Sequence, residues 1–293
     1  MSKPGRTLPR PLVTIVTPSF NQGEFIANAI DSVLAQDYPQ LEYMVIDGGS
    51  TDATLDVLRS YKDRIRWSSG PDAGQADAIH RGFLAATGEY LAWLNADDRY
   101  APGAIGAAVQ GLAVDPSAAL VYGEAEFIDR EGVLTGPCEQ IEPWNLERLI
   151  EVLDFVVQPA TVFRRDAYLA VGGLDPTLHY CMDYDLWIRL GSKYPVRFLP
   201  ELLAQVRVYG QTKTATGGLR RLEEIERMIR RNGGQGLPTG FRPEMWPALR
   251  LALVDATKNQ QFMRAARLVA RTAPYAARAA FRKLQRGLSG GRG

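Results

Sequence analysis

From residue 12 to about residue 125 the chain alternates short β-rich runs with amphipathic segments, a rhythm that admits little besides a sheet with helices on its faces. Val13–Thr17, Leu41–Ile46, Ile65–Trp67, Tyr90–Leu94 and Leu120–Tyr122 read as strands. They are short, apolar and bounded by turn residues, as strands of a parallel sheet buried on both faces are. Phe25, Ala29, Ile30, Val33 and Leu34 recur at the spacing of one buried helical face. Ser50-Thr51-Asp52 precedes Leu55, Val57 and Leu58 as capping residues precede a helix, and Gln75–Ala86 and Ala104–Leu112 supply two more helices. Past residue 125 the alternation loosens. Gly132, Gly136, Pro137 and Pro143 mark loops around a helix at Leu146–Val152, followed by a strand at Gln158–Arg164 and helices at Arg165–Val171 and Met182–Leu190. The expected fold class is α/β: a Rossmann-like, mostly parallel central sheet flanked by helices, with a helical, basic C-terminal extension.

The fourth strand is the most informative. Leu91–Asp98 reads Leu-Ala-Trp-Leu-Asn-Ala-Asp-Asp, an apolar run that ends abruptly in amide and carboxylate groups. Ligands of such sheets bind at the carboxyl ends of the strands. A carboxylate there, with an amide oxygen two residues earlier, suits a hard divalent cation such as Mn2+ or Mg2+. Asp97 is the leading ligand candidate, with Asn95 and Asp98 beside it; capping of the helix after Pro102 is the purely structural alternative. The first strand ends in Thr17-Pro18-Ser19-Phe20-Asn21-Gln22-Gly23, a loop feeding a helix N-terminus, where free backbone donors favour anions. The second ends in Asp47-Gly48-Gly49, where Asp47 can accept a base N–H and the glycines allow close backbone approach. Neither a dinucleotide nor a phosphate-loop glycine signature is present. On adjacent strands, the polar ends at Asn21, Asp47 and Asp97 would converge on one crevice.

Composition narrows the class. With 293 residues, 46% of them hydrophobic, the chain can bury a substantial core, and two cysteines make no disulfide framework. The start Met-Ser-Lys-Pro-Gly-Arg lacks the apolar stretch of a secretory signal and no apolar run is long enough to span a bilayer, so a cytoplasmic protein is expected. The net charge of +1 hides an asymmetry: residues 243–293 carry ten Lys/Arg against Glu244 and Asp255, or +8, which leaves −7 for the rest. An acidic body argues against nucleic acid as the ligand. Arg264, Arg267, Arg271, Arg278 and Arg282 follow helical spacing, with Pro274 as a break. Such a segment can lie peripherally on the inner face of an anionic membrane, or pack as a helical hairpin with an arginine-rich outer face.

Thr17–Asn21, Ile46–Asp52, Ala86–Asp98 and Met182–Trp187, taken in order, resemble the family 2 glycosyltransferases of GT-A fold, in the branch acting on bacterial surface polysaccharides. The resemblance spans about residues 11–215. It implies a nucleotide-diphosphate sugar donor, a glycan or lipid-linked acceptor, a divalent metal and inversion at the anomeric carbon. It divides the chain into a flexible N-terminus (1–10), a transferase domain with a nucleotide-sugar-binding half (11–125) and an acceptor-binding half (126–215), a helical extension (216–286) and a disordered tail (287–293). Carried over, Thr17, Pro18, Phe20, Asn21 and Asp47 would bind the nucleoside with Gln75 near it, Asn95 and Ala96 would meet the ribose, and Asp97 would hold the metal. Asn95 replaces the first Asp of the family motif, and His80 stands where relatives often have Asn.

An inverting transfer needs a general base beside the acceptor hydroxyl. Asp183 shares a helical face with Leu186, Trp187 and Leu190, whereas Asp185 is placed to pair with Arg189 as a solvated i, i+4 bridge. Asp183 is therefore the expected base; it also matches the family's Glu-Asp position, with Met182 for the Glu. Arg164 and Arg165 are secondary candidates for neutralising the leaving diphosphate. Relatives often place a His after the last core strand, where this chain reads Val206-Arg207-Val208-Tyr209. Asn95, Met182 and Tyr209 keep open a catalytically silent nucleotide-sugar-binding relative. A nucleotidyltransferase would instead show a glycine-rich loop with Arg and Lys near the first strand.

Overall fold

The computed structural model describes residues 10–258. In chain order the first half comprises β1 (Val13–Ser19), α1 (Ile26–Leu34), β2 (Leu41–Asp47), α2 (Thr54–Ser60), β3 (Arg66–Ser69), α3 (Gln75–Ala85), β4 (Tyr90–Trp93), β5 (Arg99–Tyr100) and α4 (Ala104–Val114). The second comprises β6 (Leu120–Ile128), β7 (Leu134–Pro137), α5 (Leu146–Glu151), β8 (Thr161–Arg164), α6 (Arg165–Ala170), α7 (Met182–Gly191), β9 (Val196–Arg207), α8 (Lys213–Arg231) and α9 (Arg242–Lys258). The strands described form one sheet in the order β3-β2-β1-β4-β8-β6-β9-β5, with β7 on the edge of β6.

β1 is buried along its whole length because helices cover both sides of it. Alternate side chains supply two apolar layers: Ile15 joins Ile26, Ile30 and Val45 on one face, and Val16 joins Ile79, Phe83 and Trp93 on the other. Of the stripe expected on α1, Ala29, Ile30 and Val33 are buried, with Phe25 buried just ahead of the helix; Ile26 joins them and Leu34 is half-buried. Ahead of α2, whose N-cap position is Ala53, Asp52 forms a turn in which its Oδ1 accepts the Thr54 N–H at 3.0 Å. α3 lies so close to β1 that a Cβ on Gly82 would sit 2.7 Å from the Val16 methyls.

The sheet is parallel through β3, β2, β1 and β4 and mixed beyond, because β8 runs antiparallel to both β4 and β6. The expected strand at 120–122 extends to Ile128, and β9 pairs with it in parallel. The expected strand at 158–164 starts with a turn of 3-10 helix, leaving Thr161–Arg164 in the sheet. Trp93 closes β4 and stacks at 5.5 Å on Trp187 of α7, which fixes the start of that helix against the strand end. α8 buries Leu219, Leu222, Ile225, Met228 and Ile229 in the same cluster as those two tryptophans, with Phe241 and Leu249 following from the chain around α9. Among the described residues no helix is long and apolar enough to cross a membrane. The flexible N-terminus, the basic helical segment beyond α9 and the tail expected at 287–293 lie outside the described residues.

Candidate active site

The carboxyl ends of β1, β2 and β4 open into a cleft of about 850 Å³, closed on its far side by the start of α7 and the start of α8. Pro18 and Phe20 line it from the first loop, with the Phe20 ring 60% exposed. Gln75, Asn95, Ala96 and Asp97 line it from α3 and β4, and Asp183 from α7. The structure therefore brings seven of the expected residues together.

The others serve the walls. Thr17 is buried and shares a hydrogen bond with the Tyr43 hydroxyl at 3.0 Å. Asn21, at a φ of 53° that asparagine tolerates, accepts the Thr51 N–H at 2.9 Å while its own N–H donates to Ser50 Oγ at 2.7 Å. It stitches the β1 loop to the β2 loop. Asp47 is buried, with Oδ2 accepting from the Gly49 and Ser50 N–H groups and the Ser69 hydroxyl, and Oδ1 from the Ser50 hydroxyl. These bonds hold its carboxyl below the usual range against the burial that would raise it. Its oxygens hold the loop after β2 together rather than meeting the cleft.

His80 bonds through Nδ1 to the Tyr168 hydroxyl at 2.9 Å, on the core side of α3. Arg164 and Arg165 are removed from the site by strand direction. The antiparallel register pairs Arg164 with Tyr90, the first residue of β4, so both arginines lie at the end of the sheet opposite the cleft. Arg164 there donates to the Ala118 carbonyl and lies over the Tyr90 ring. Asp185 pairs with Arg189 as expected, at 2.7 Å, but the pair is not solvated: Asp185 is 1% exposed, and its second oxygen accepts from Arg231 and Asn232 of the segment ending α8. α7 is packed on nearly every side, so the helical face that periodicity assigned to solvent is covered as well.

The cleft floor is a hydrogen-bonded chain. The Asn95 amide oxygen accepts from Gln75 Nε2 at 2.8 Å, and its nitrogen donates to Asp98 Oδ2 and Gln158 Oε1, each at 3.0 Å. Gln158 in turn donates to the Trp93 carbonyl at 2.8 Å. An aspartate at 95 could not donate to Asp98 and would set a third carboxylate beside it, so the departure at this position has a local physical reason. Asp98 Oδ1 accepts the Arg207 N–H at 2.9 Å, and Arg207 Nε donates to the Asp97 carbonyl at 2.8 Å. Tyr209 donates its hydroxyl to Asp97 Oδ2 at 3.1 Å. Burial pushes the carboxyls of Asp97 and Asp98 up, and the charge of Asp97 pushes Asp98 further.

Across the cleft Asp183 accepts the Tyr184 N–H at 2.9 Å within the first turn of α7. Burial raises its carboxyl, while Lys213 and Arg221 pull it back. Asp154, half-buried, is raised by burial and by the charge of Asp183. The turn leading into α7 hangs on Glu224 of α8, whose Oε1 accepts the N–H groups of His179, Tyr180 and Cys181 at 2.9, 2.5 and 3.1 Å. Sequence reasoning missed Lys213, which lines the cleft, and Glu224 and Asp154, which stand behind it beside the start of α7. Lys213, two residues before the end of the expected transferase domain, followed the polar Gly210-Gln211-Thr212 run that does flag a loop; no pattern marks the other two.

A strand-end cleft with carboxylates on facing walls, on a sheet that passes from parallel to mixed, defines a glycosyltransferase of GT-A fold. Residues 14–171 match the model of glycosyl transferase family 2, and the chain belongs to that family. It is 32% identical over 222 residues to a protein named as an uncharacterized glycosyltransferase of Rickettsia typhi, covering 74% of this chain and 70% of the relative. It is 27% identical over 204 residues to chondroitin synthase of Escherichia coli, covering 69% of this chain and 29% of that longer protein. Among solved structures, S. aureus TarS 1-349 in complex with UDP-GlcNAc superimposes with a TM-score of 0.61 at 12% identity, over 89% of this chain and 92% of that one. The mannosyltransferase PcManGT from Pyrobaculum calidifontis, in complex with GDP-Man and Mn2+, gives 0.60 at 21% identity over 94% and 80%. At those identities the structural likeness speaks for the fold alone.

Proposed function

We propose that the chain is an inverting, metal-assisted glycosyltransferase that moves a sugar from a nucleoside-diphosphate donor to a hydroxyl of a glycan or lipid-linked acceptor, in surface polysaccharide synthesis. The observation that carries this reading is the single cleft holding Asp97 at the end of β4 and Asp183 at the start of α7. In the reaction, the acceptor oxygen bonds to the anomeric carbon as the carbon–oxygen bond to the diphosphate breaks. The acceptor proton passes to a carboxylate oxygen of Asp183 and the electron pair leaves with the diphosphate. Pro18 and the exposed Phe20 ring offer an apolar wall to the base. The relatives are consistent with the substrate class: one is a chondroitin synthase, and the structural neighbours were solved with UDP-GlcNAc and with GDP-Man and Mn2+.

The residues present fit a hard cation held mainly by substrate. No group of three or more His, Cys, Asp or Glu among the described residues is arranged to hold a metal. Asp97 nevertheless presents a carboxylate at the cleft beside the buried Asp98, and among the described residues Arg207 is the cation that acts on both. A cation that keeps its waters and takes donor phosphate oxygens needs no more than one or two protein carboxylates. When bound there it would supply charge neutralisation of the leaving diphosphate.

A thermal-shift panel of UDP, GDP, dTDP, ADP and CDP, with and without Mn2+, tests the reading. A ligand that binds only the folded state raises the melting temperature. One nucleotide is expected to raise it in a Mn2+-dependent way, and Asp97→Asn is expected to remove most of the Mn2+-dependent increment. No shift with any of the five would overturn the proposal.

A further inference from the structure

The cleft is short of positive charge for an anionic donor. Asp72, Asp97, Asp98 and Asp183 all line it, and among the described residues the basic side chains there are His179, Arg207 and Lys213. Arg207 is 4% exposed and committed: Nε and Nη1 donate to the carbonyls of Asp97, Asp129 and Arg130, and the guanidinium lies over the Phe25 ring. It braces the floor. Burial lowers the proton affinity of His179 and the Lys213 charge lowers it further, against the opposing charge of Glu224.

Lys213 differs from both. It is the first residue of α8 and reaches across to Gln75, the first residue of α3, where its ammonium donates to Oε1 at 2.7 Å. Gln75 bonds Asn95, so the ammonium stands one side chain from the β4 end that carries Asp97. An ammonium has three donors and, among the described residues, this one makes one hydrogen bond, to Gln75, leaving two for a ligand. Its anchorage is firm. Thr212 caps α8 by accepting the Ala215 N–H at 3.2 Å, and Glu224 of the same helix clamps the three N–H groups that lead into α7.

We propose that Lys213 holds the terminal phosphate of the donor's diphosphate and stabilises it as the leaving group, a share of charge compensation that Asn95 and Tyr209 leave open. This rests on the glycosyltransferase reading above. As the bond to the anomeric carbon breaks, the electron pair settles on a phosphate oxygen within reach of the ammonium, where a charge-assisted hydrogen bond strengthens as the charge grows. The ammonium comes from the acceptor side of the cleft and Gln75 from the donor side, so the donor diphosphate would lie between the two halves of the site.

The test is equilibrium binding to the full chain in Mn2+, with UDP and GDP set against UMP and GMP, for the wild type, Lys213→Met and Lys213→Arg. The wild type is expected to favour the diphosphate of its preferred base. Lys213→Met should lose about tenfold or more in diphosphate affinity while keeping its monophosphate affinity, and Lys213→Arg should retain most of both. Lys213→Gln makes the same comparison if methionine prevents folding. Equal losses of mono- and diphosphate, or no loss of either, would overturn the role of Lys213 and leave the glycosyltransferase reading standing. A wild type that bound no nucleotide at all would overturn both.

Discussion

Asp183→Asn should lower turnover by about 10³-fold while leaving the nucleotide-dependent thermal shift in place, because the amide keeps the shape of the carboxylate and cannot take the acceptor's proton. The loss should fall equally on kcat and kcat/KM, the signature of a contact made only as the reaction proceeds. The wild type carries a second mark of the same group. As the proposed base Asp183 would work ionised, and burial holds its carboxyl above the ordinary 3.8. The ionised fraction grows as pH rises through that elevated value, so turnover should rise with pH along a limb displaced upward from an ordinary aspartate's and flatten above it. The charged groups that act on it are Lys213 and Arg221, which favour the ionised form, and Asp154, whose carboxyl is close enough for the charge of Asp183 to raise it. Steady-state rates across pH, with the Asn variant beside the wild type, read both marks. Near-normal turnover by the Asn variant would remove Asp183 from the role.

Much of this was legible in the sequence for a definite reason. β1, β2 and β4 are buried on both faces and bounded by Gly, Pro and Asp, so they read as short uninterrupted apolar runs. Asp97 was legible because it follows such a run, and Asp183 because it shares a helical face with Leu186, Trp187 and Leu190. β9 was not: Pro200, Glu201 and Gln205 interrupt it, and it is carried by pairing with β6 across register shifts, which no local pattern records. Strand direction was also invisible. A parallel β8 would have put Arg164 and Arg165 at the cleft, whereas the antiparallel one puts them at the opposite end of the sheet. The hydrophobic period that chose Asp183 also assigned Asp185 to solvent, which holds for a surface helix and fails for one enclosed by β4, α5 and α8.

Asp97 and its neighbours show a site whose departures compensate one another. The Asn95 amide donates to the buried Asp98, which a carboxylate could not do. Tyr209 donates to Asp97 where relatives often supply a ligand, and its ring meets Phe25 at a tilt of 49° with centroids 5.1 Å apart, while the Arg207 guanidinium that braces the Asp97 carbonyl lies over the Phe25 ring. The donors around the cleft floor thus orient two neighbouring carboxylates, Asp97 and Asp98. On the reading proposed above, the charge balance would then fall to the donor's cation and to Lys213.

Asp185→Ala is expected to destabilise the fold by about 3–5 kcal/mol, the range for removing one partner of a buried ion pair and leaving the other uncompensated. The larger share belongs to Arg189, whose side chain is 23% exposed and which also donates to the Val171 and Gly173 carbonyls. The share of Arg231 is smaller, because that side chain is half exposed and keeps Asp175 as a partner. For a domain of this size the loss corresponds to a fall in melting temperature on the order of 10 °C. Asp183→Asn should melt close to the wild type, since Asp183 has no ion-pair partner among the described residues and its bond to the Tyr184 N–H is available to an amide oxygen. The two aspartates, two residues apart on one helix, therefore separate by measurement. One variant loses turnover and keeps its fold; the other loses stability because α7 and α8 are no longer tied at Asp185. Thermal and urea denaturation of both variants decide it, and an Asp185→Ala protein with wild-type stability and no turnover would exchange the two assignments.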